Sequence, residues 1–247
     1  MRGWRSILLW AGMVCLSGLA QAAAPSESAG IALESTRVVY PGGATKGITF
    51  TVTNRTGQTY LLQSRVLPWG SASSESAPAA VAPFIVVPPL VRFAPEEALT
   101  LRIRLTKQDL PTDRESVFGL SLKAIPSQSA PGSESDSGAK MVLAVQNNLK
   151  LFYRPTEMVE MTAQARAAAL QLTLQGRELK VHNPTPYYVT LAEVNANDEK
   201  VMLGEQRMLA PFSTALLDLP VAKPTALSWQ IIDDDGRPTP RQHQAVE

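Results

Sequence analysis

With 23 basic and 22 acidic side chains in 247 residues, the chain carries a formal net charge of +1, which gives no electrostatic reason to expect nucleic acid or an anionic membrane surface as a partner. Two histidines and one cysteine are too few for a zinc site or a histidine- or cysteine-based catalytic centre, and no serine stands in a recognisable nucleophile motif. The sequence therefore predicts no catalytic residue, no metal and no cofactor.

The chain opens with Arg2 and Arg5, an apolar stretch over residues 7–19 and then Ala20-Gln21-Ala22 in A-x-A spacing, the pattern of a secretory signal over residues 1–22. Cys15 lies inside it without the flanks of a lipidation site, so cleavage leaves a mature chain of about 225 residues with no cysteine and no disulfide. No later stretch reaches the roughly 20 apolar residues of a spanning helix, so a soluble exported protein is expected. A core of that size must be stabilised by burial alone.

Downstream, period-two alternation recurs and helical periodicity is scarce. Ile48, Phe50 and Val52 alternate with threonines, Leu99, Leu101, Ile103 and Leu105 with Thr100, Arg102 and Arg104, and Phe118, Leu120 and Leu122 with Gly119 and Ser121. Each set describes a strand with one buried face. A helical turn or two is expected in the alanine-rich residues 162–170. Leu170, Leu172 and Leu174 then run into Gln175-Gly176-Arg177, and Leu179 and Val181 resume the alternation, which predicts a hairpin. Further strands are expected over 188–194, 214–219 and 227–232. Proline and glycine punctuate the gaps, and 19 prolines are more than a parallel α/β sheet tolerates, so the chain reads as all-β, with β-sandwich domains. Two polar stretches, 71–83 and 127–139, read as long loops, and the domain boundary falls near Arg154-Pro155. Asn54-Arg55-Thr56 fits a glycosylation sequon but reads as a hairpin turn, and Asp233-Asp234-Asp235-Gly236 lacks the spacing of a calcium loop.

Residues 141–145, Met-Val-Leu-Ala-Val, are apolar on both faces of a strand. Two readings follow from the residues alone. The strand is central and covered on both sides by the protein itself, or it lies at an edge and its second row, Met141, Leu143 and Val145, awaits a partner. In the first case the chain is a secreted adhesive or structural sandwich of the cell surface.

Directly after this strand comes Asn147-Asn148-Leu149-Lys150-Leu151-Phe152-Tyr153-Arg154-Pro155, and in order with it stand Thr36-Arg37-Val38-Val39-Tyr40, Leu110-Pro111-Thr112-Asp113-Arg114-Glu115-Ser116 and Asn183-Pro184-Thr185-Pro186-Tyr187-Tyr188-Val189. These blocks span most of the mature chain and resemble the PapD-like periplasmic pilus chaperones. The resemblance implies two immunoglobulin-like β-sandwich domains at an angle: an N-terminal chaperone domain with a donor strand over residues 23–154 and a C-terminal domain over 155–247. It implies a periplasmic protein that lends a strand to an incomplete pilus subunit before delivery to an outer-membrane usher, with self-association of the free protein left open. By motif position, Arg37 and Lys150 would hold the subunit's terminal carboxylate, Met141, Leu143 and Val145 would form the donor row, and Arg104, Glu115 and Asp233 would form an interdomain ion network. Two departures stand out. The loop at 127–139 is longer than in short-loop members without the cysteine pair of many long-loop ones, and the polar tail 239–247 is expected to leave the second domain trimmed at its edge.

Overall fold

In the computed structural model the described residues are 30–70, 82–107, 109–127 and 143–246. The expected signal at 1–22, most of the two loop stretches, and Met141 and Val142 lie outside them. The first half of the chain forms strands β1 (Ile31–Leu33), β2 (Arg37–Pro41), β3 (Ile48–Asn54), β4 (Tyr60–Pro68), β5 (Phe84–Val87), β6 (Leu90–Phe93), β7 (Ala98–Leu105), β8 (Ser116–Pro126) and β9 (Val145–Arg154). The second half adds helix α1 (Ala163–Ala169), then β10 (Gln171–Gln175), β11 (Glu178–His182), β12 (Val189–Ala196), β13 (Glu199–Lys200), β14 (Met208–Leu209), β15 (Thr214–Asp218), β16 (Ala226–Ile231) and β17 (Gln242–Ala245).

Each half is a pair of sheets around its own core. In the first, the sheet β1-β3-β7-β5 faces the sheet β2-β9-β8-β4-β6. The alternating residues supply the filling: Phe50, Val52, Leu101 and Ile103 from one sheet meet Val38, Leu62, Leu120, Leu122 and Leu151 from the other. Burying each such side chain favours folding by about 1.5–3 kcal/mol before ordering costs, which is how a domain without a disulfide holds together. The second half sets β10-β11-β15 against a sheet of β13-β12-β16-β17, with β14 also on β12. Its core gathers Leu172, Leu179, Val181, Val189, Leu191, Leu217 and Ile231. The α1 helix covers one end of that core. Thr162 caps it by accepting from the Ala165 N–H at 3.1 Å, and Trp229 Nε1 donates to the Ala167 carbonyl at 2.8 Å.

Local chemistry explains the turns. β10 and β11 close through Gly176-Arg177, with Gly176 at φ 64, a conformation that favours glycine. Asn54 is fully buried: its Nδ2 donates to the Gln58 and Ala94 carbonyls at 2.8 Å, and its Oδ1 accepts from the Thr56 backbone and hydroxyl. Asn183 and Thr185 repeat that arrangement in the second half, with Nδ2 donating to the Tyr187 and Ala210 carbonyls. Asn-x-Thr is therefore a structural cage in both halves, and the apparent sequon is an inward-facing asparagine.

The polar tail departs from expectation. Residues 242–245 form β17, an edge strand pairing with β16 from Trp229↔Gln242 to Ala226↔Ala245, so the second domain is completed there and not trimmed. A tail of exposed polar side chains still supplies a full set of backbone donors and acceptors, which is all an edge strand requires.

The cleft, its cationic pair and the open strand edge

Strand β9 changes its surroundings along its length. From Lys150 to Arg154 it lies between β8 on one side and β2 on the other, the β2 pairing being parallel with Arg37↔Lys150 and Val39↔Phe152 in register. From Val145 to Leu149 β8 alone pairs with it among the described residues. The opposite edge of that segment presents backbone N–H and C=O groups to whatever approaches. At its start Leu143 is 65% and Val145 52% exposed, large apolar side chains at an open edge. Ala144 is exposed as well, so it does not pack into the protein's own sandwich as the strand alternation over 141–145 required. The register accounts for this. Continuing it from Ala124↔Val145 would bring Leu143 opposite Pro126, which has no N–H to give the ladder, and β9 begins only at Val145. Met141 and Val142 lie outside the described residues.

Beyond the open segment, Leu149 and Leu151 point into the core, so Lys150 and Phe152 face the second domain. Phe152 is buried there, against the ring of Tyr188 at 6.0 Å and under the Arg37 guanidinium at 5.9 Å. Arg37 Nη1 donates to the Ile232 carbonyl at 3.3 Å, a bond between domains, while its Nε is buried with no partner among the described residues. The Lys150 ammonium sits 5.4 Å over the Trp69 ring. Neither Arg37 nor Lys150 forms an ion pair among the described residues. Burial first, then the charges of Arg37 and Arg207, push the Lys150 ammonium down to about 8. Burial likewise lowers Arg37, against the pull of Asp234 and Asp233. Two adjacent, half-buried cations that form no ion pair among the described residues are costly to fold and are suited to receive an anion.

A second group of charges pairs acids with bases, with only the Arg166 Nε left without a partner among the described residues of the group. Arg154, the last residue of β9, donates from Nε to Glu115 Oε1 at 2.9 Å, and from Nη1 and Nη2 to the two Asp234 oxygens at 3.1 and 3.2 Å. Arg166 of α1 reaches Asp234 Oδ1 at 3.0 Å, and Glu115 Oε2 accepts from the Tyr188 N–H at 2.8 Å. Arg154 and Arg166 flank the ring of Tyr187 at 5.0 and 4.9 Å, and the Tyr187 hydroxyl donates to the Val159 carbonyl in the connecting segment. Burial holds the Glu115 carboxyl above its ordinary value despite Arg154. Burial would raise Asp234 too, but its bond to Arg154 and the charge of Arg166 outweigh that and hold it low.

Of the three residues expected to tie the domains together, Glu115 is in this network and the other two are not. Arg104 is an exposed residue of β7, opposite Ile85, and forms no ion pair with the second domain among the described residues. Asp233 spends its Oδ1 on the backbone N–H groups of Asp235 and Arg237, shaping the turn, and the next residue, Asp234, takes the interdomain role. Sequence reasoning missed Arg154, Arg166 and Asp234. Two signals for them were present: Arg154 ends a strand at the domain boundary, and Arg166 is the only charge in an otherwise alanine-rich helix.

The arrangement is that of a two-domain β-sandwich protein in which an exposed apolar segment at a strand edge leads to a pair of cations. Residues 30–159 match the family "Pili and flagellar-assembly chaperone, PapD N-terminal domain", and residues 165–243 match "Pili assembly chaperone PapD, C-terminal domain". The chain is 34% identical over 231 residues to the chaperone protein FimC of Escherichia coli O6:H1, covering 93% of this chain and 90% of FimC. It is also 34% identical over 227 residues to the chaperone protein FimB/FhaD of Bordetella pertussis, covering 89% of each. Among solved structures it is similar to a chain of the Salmonella enterica SafA pilin in complex with the SafB chaperone, with TM-score 0.74, 31% identity and coverage of 90% of this chain and 98% of that one. The E. coli chaperone DraB gives TM-score 0.73 and 32% identity, with 88% and 98% covered. The chain belongs to the PapD family of pilus-assembly chaperones, a family of immunoglobulin-like two-domain chaperones and not of enzymes.

Proposed function

We propose that this chain is a periplasmic chaperone that holds pilus subunits by donor-strand complementation and passes them to an outer-membrane usher, with residues 1–22 as its export signal and 23–154 and 155–247 as its two domains. The observation that carries the reading is the juxtaposition along one stretch of chain of exposed apolar side chains and a cation with no ion pair among the described residues: Leu143 just before β9 and Val145 at its start, then Lys150 with its neighbour Arg37 in the cleft. A subunit lacking one strand would pair its backbone with the free edge over 145–149, take Leu143 and Val145 between its sheets, with Met141 extending the row, and place its terminal carboxylate on Arg37 and Lys150. The same row gives the free protein a surface for self-association until a subunit covers it. No nucleic acid, metal, cofactor or catalytic residue enters this function.

The test is co-expression with a pilus subunit and measurement of the complex recovered. Lys150→Ala should leave the fold unchanged by circular dichroism and weaken capture about tenfold or more, the worth of one charge-assisted hydrogen bond. Undiminished recovery of an equimolar complex would overturn the carboxylate assignment.

A further inference from the structure

Across the sheet of β4, β8, β9 and β2, four residues stand in one row facing the second domain: Leu67↔Gly119, Gly119↔Lys150 and Lys150↔Arg37. Three of them carry side chains and one does not. Gly119 is absent from the residues of positive φ, so its backbone does not require glycine. A Cβ added there would meet only the Leu67 carbonyl oxygen, at 3.8 Å, an ordinary contact. Gly119 is buried, and its missing side chain leaves space in the row at the position paired with Lys150. Just past the end of β4, between Pro68 and Gly70 with its φ of 86, Trp69 holds its indole 5.4 Å from the Lys150 ammonium and 41% exposed. An indole half in water, next to a cation that forms no ion pair among the described residues, is poised to receive an apolar group arriving with an anion.

We propose that Trp69 and the bare backbone at Gly119 form a subsite for the side chain of the last residue of the bound polypeptide, and that Trp69 sets which terminal residue is preferred. The inference rests on the reading of Arg37 and Lys150 as the carboxylate anchor. A carboxylate oxygen about 2.8 Å from Nζ puts the terminal Cα roughly 4–5 Å from it, comparable to the distance of the indole, so the terminal side chain is the one within reach of the ring. Aromatic and large aliphatic side chains gain contact there and glycine gains none. The burial and neighbouring cations that depress Lys150 are consistent with a sheltered site.

The experiment is calorimetric titration of the purified protein with short peptides identical except for a last residue of Phe, Leu or Gly, each as the free acid and as the amide. The unaltered protein should bind the Phe-terminated acid about three- to tenfold more tightly than the Gly-terminated acid. Trp69→Ala should shrink that ratio below about twofold while both acids still bind more tightly than their amides, and Trp69→Phe should keep most of it. Gly119→Leu fills the gap and should weaken the Phe-terminated peptide more than the Gly-terminated one. A preference that survives in Trp69→Ala, or that the unaltered protein lacks, overturns the subsite. Amides that bind as well as acids, acids that bind equally to Lys150→Ala, or acids that do not bind at all overturn the anchor itself, and with it the site on which the subsite depends.

Discussion

Lys150 is a charge held where water is scarce. Its ammonium loses solvation, faces the guanidinium of Arg37 and the charge of Arg207, and has the Trp69 ring as its neighbour in place of an acid. The sign of its effect on stability follows from the lowered value of about 8 in the folded chain. Below that pH both folded and unfolded chains carry the proton, and the folded state bears the full cost of the buried charge. Between about 8 and the ordinary lysine value near 10.4 the folded chain has released the proton and the unfolded chain has not, so the free protein gains stability as pH rises through that window. Binding of a carboxylate runs the other way, because it needs the ammonium. Capture should weaken as pH is raised above about 8, and the free protein's melting temperature should not weaken with it. Lys150→Met, which keeps the length of the side chain and removes the charge, should raise the melting temperature of the free protein and abolish carboxylate-dependent capture. Thermal melts and pull-down of a subunit check the two halves, and a lower melting temperature would mean that the ammonium has a stabilising partner inside the protein.

Strand β9 shows how much an element's role depends on its neighbours. Its inner residues Leu149 and Leu151 are core, while Val145 has the same parity and is exposed, because β8 runs out at Pro126 and β2 begins only opposite Lys150. Leu143→Asp and Val145→Asp should therefore change the free protein's stability by no more than about 0.5 kcal/mol and cripple subunit capture, because a carboxylate would have to enter the partner's core unpaired. Leu149→Asp should unfold the first domain, since it places the same charge among Leu120, Leu122 and Leu151. Chemical denaturation of the three variants beside capture assays separates the cases, and equal unfolding by Val145→Asp would make the exposed row core after all. The alternating strands β3, β7, β8, β10 and β11 were readable from sequence because a sandwich buries alternate residues, and the alanine-rich run over 162–170 was readable as a helical turn, whereas the polar β17 was not. What alternation could not reveal is where a ladder stops, since that depends on a proline in a partner strand 17 residues earlier in the chain.

At the scale of the whole molecule the domains are joined by a chain of charges, Glu115, Arg154, Asp234 and Arg166, in which Arg154 touches acids from both domains. Sequence reasoning proposed Glu115, Arg104 and Asp233 for this role, and among the described residues it is Glu115 and Asp234 that pair with Arg154. Which of several charges turns inward is decided by pairing across 39 to 80 residues, and no local pattern carries that information. Removing Arg154 leaves buried Glu115 with the Tyr188 N–H as its remaining side-chain hydrogen-bond partner among the described residues. Arg154→Ala should cost roughly 3–5 kcal/mol, nearer the lower figure because the Asp234 end is partly solvated. A sharper test uses pH. Asp234 is held below its ordinary value, so it contributes stability above about pH 4 that is lost as pH falls through its folded value. Glu115 is shifted the other way, so its protonation in acid relieves a cost and cannot produce the same loss. The difference in unfolding free energy between the unaltered protein and Asp234→Asn should therefore be largest near neutral pH and shrink towards zero in acid, as pH falls through the lowered Asp234 value. Urea titrations of both proteins across that range measure it directly. A difference that persists undiminished in acid would mean that the carboxylate charge of Asp234 is not what joins the two domains.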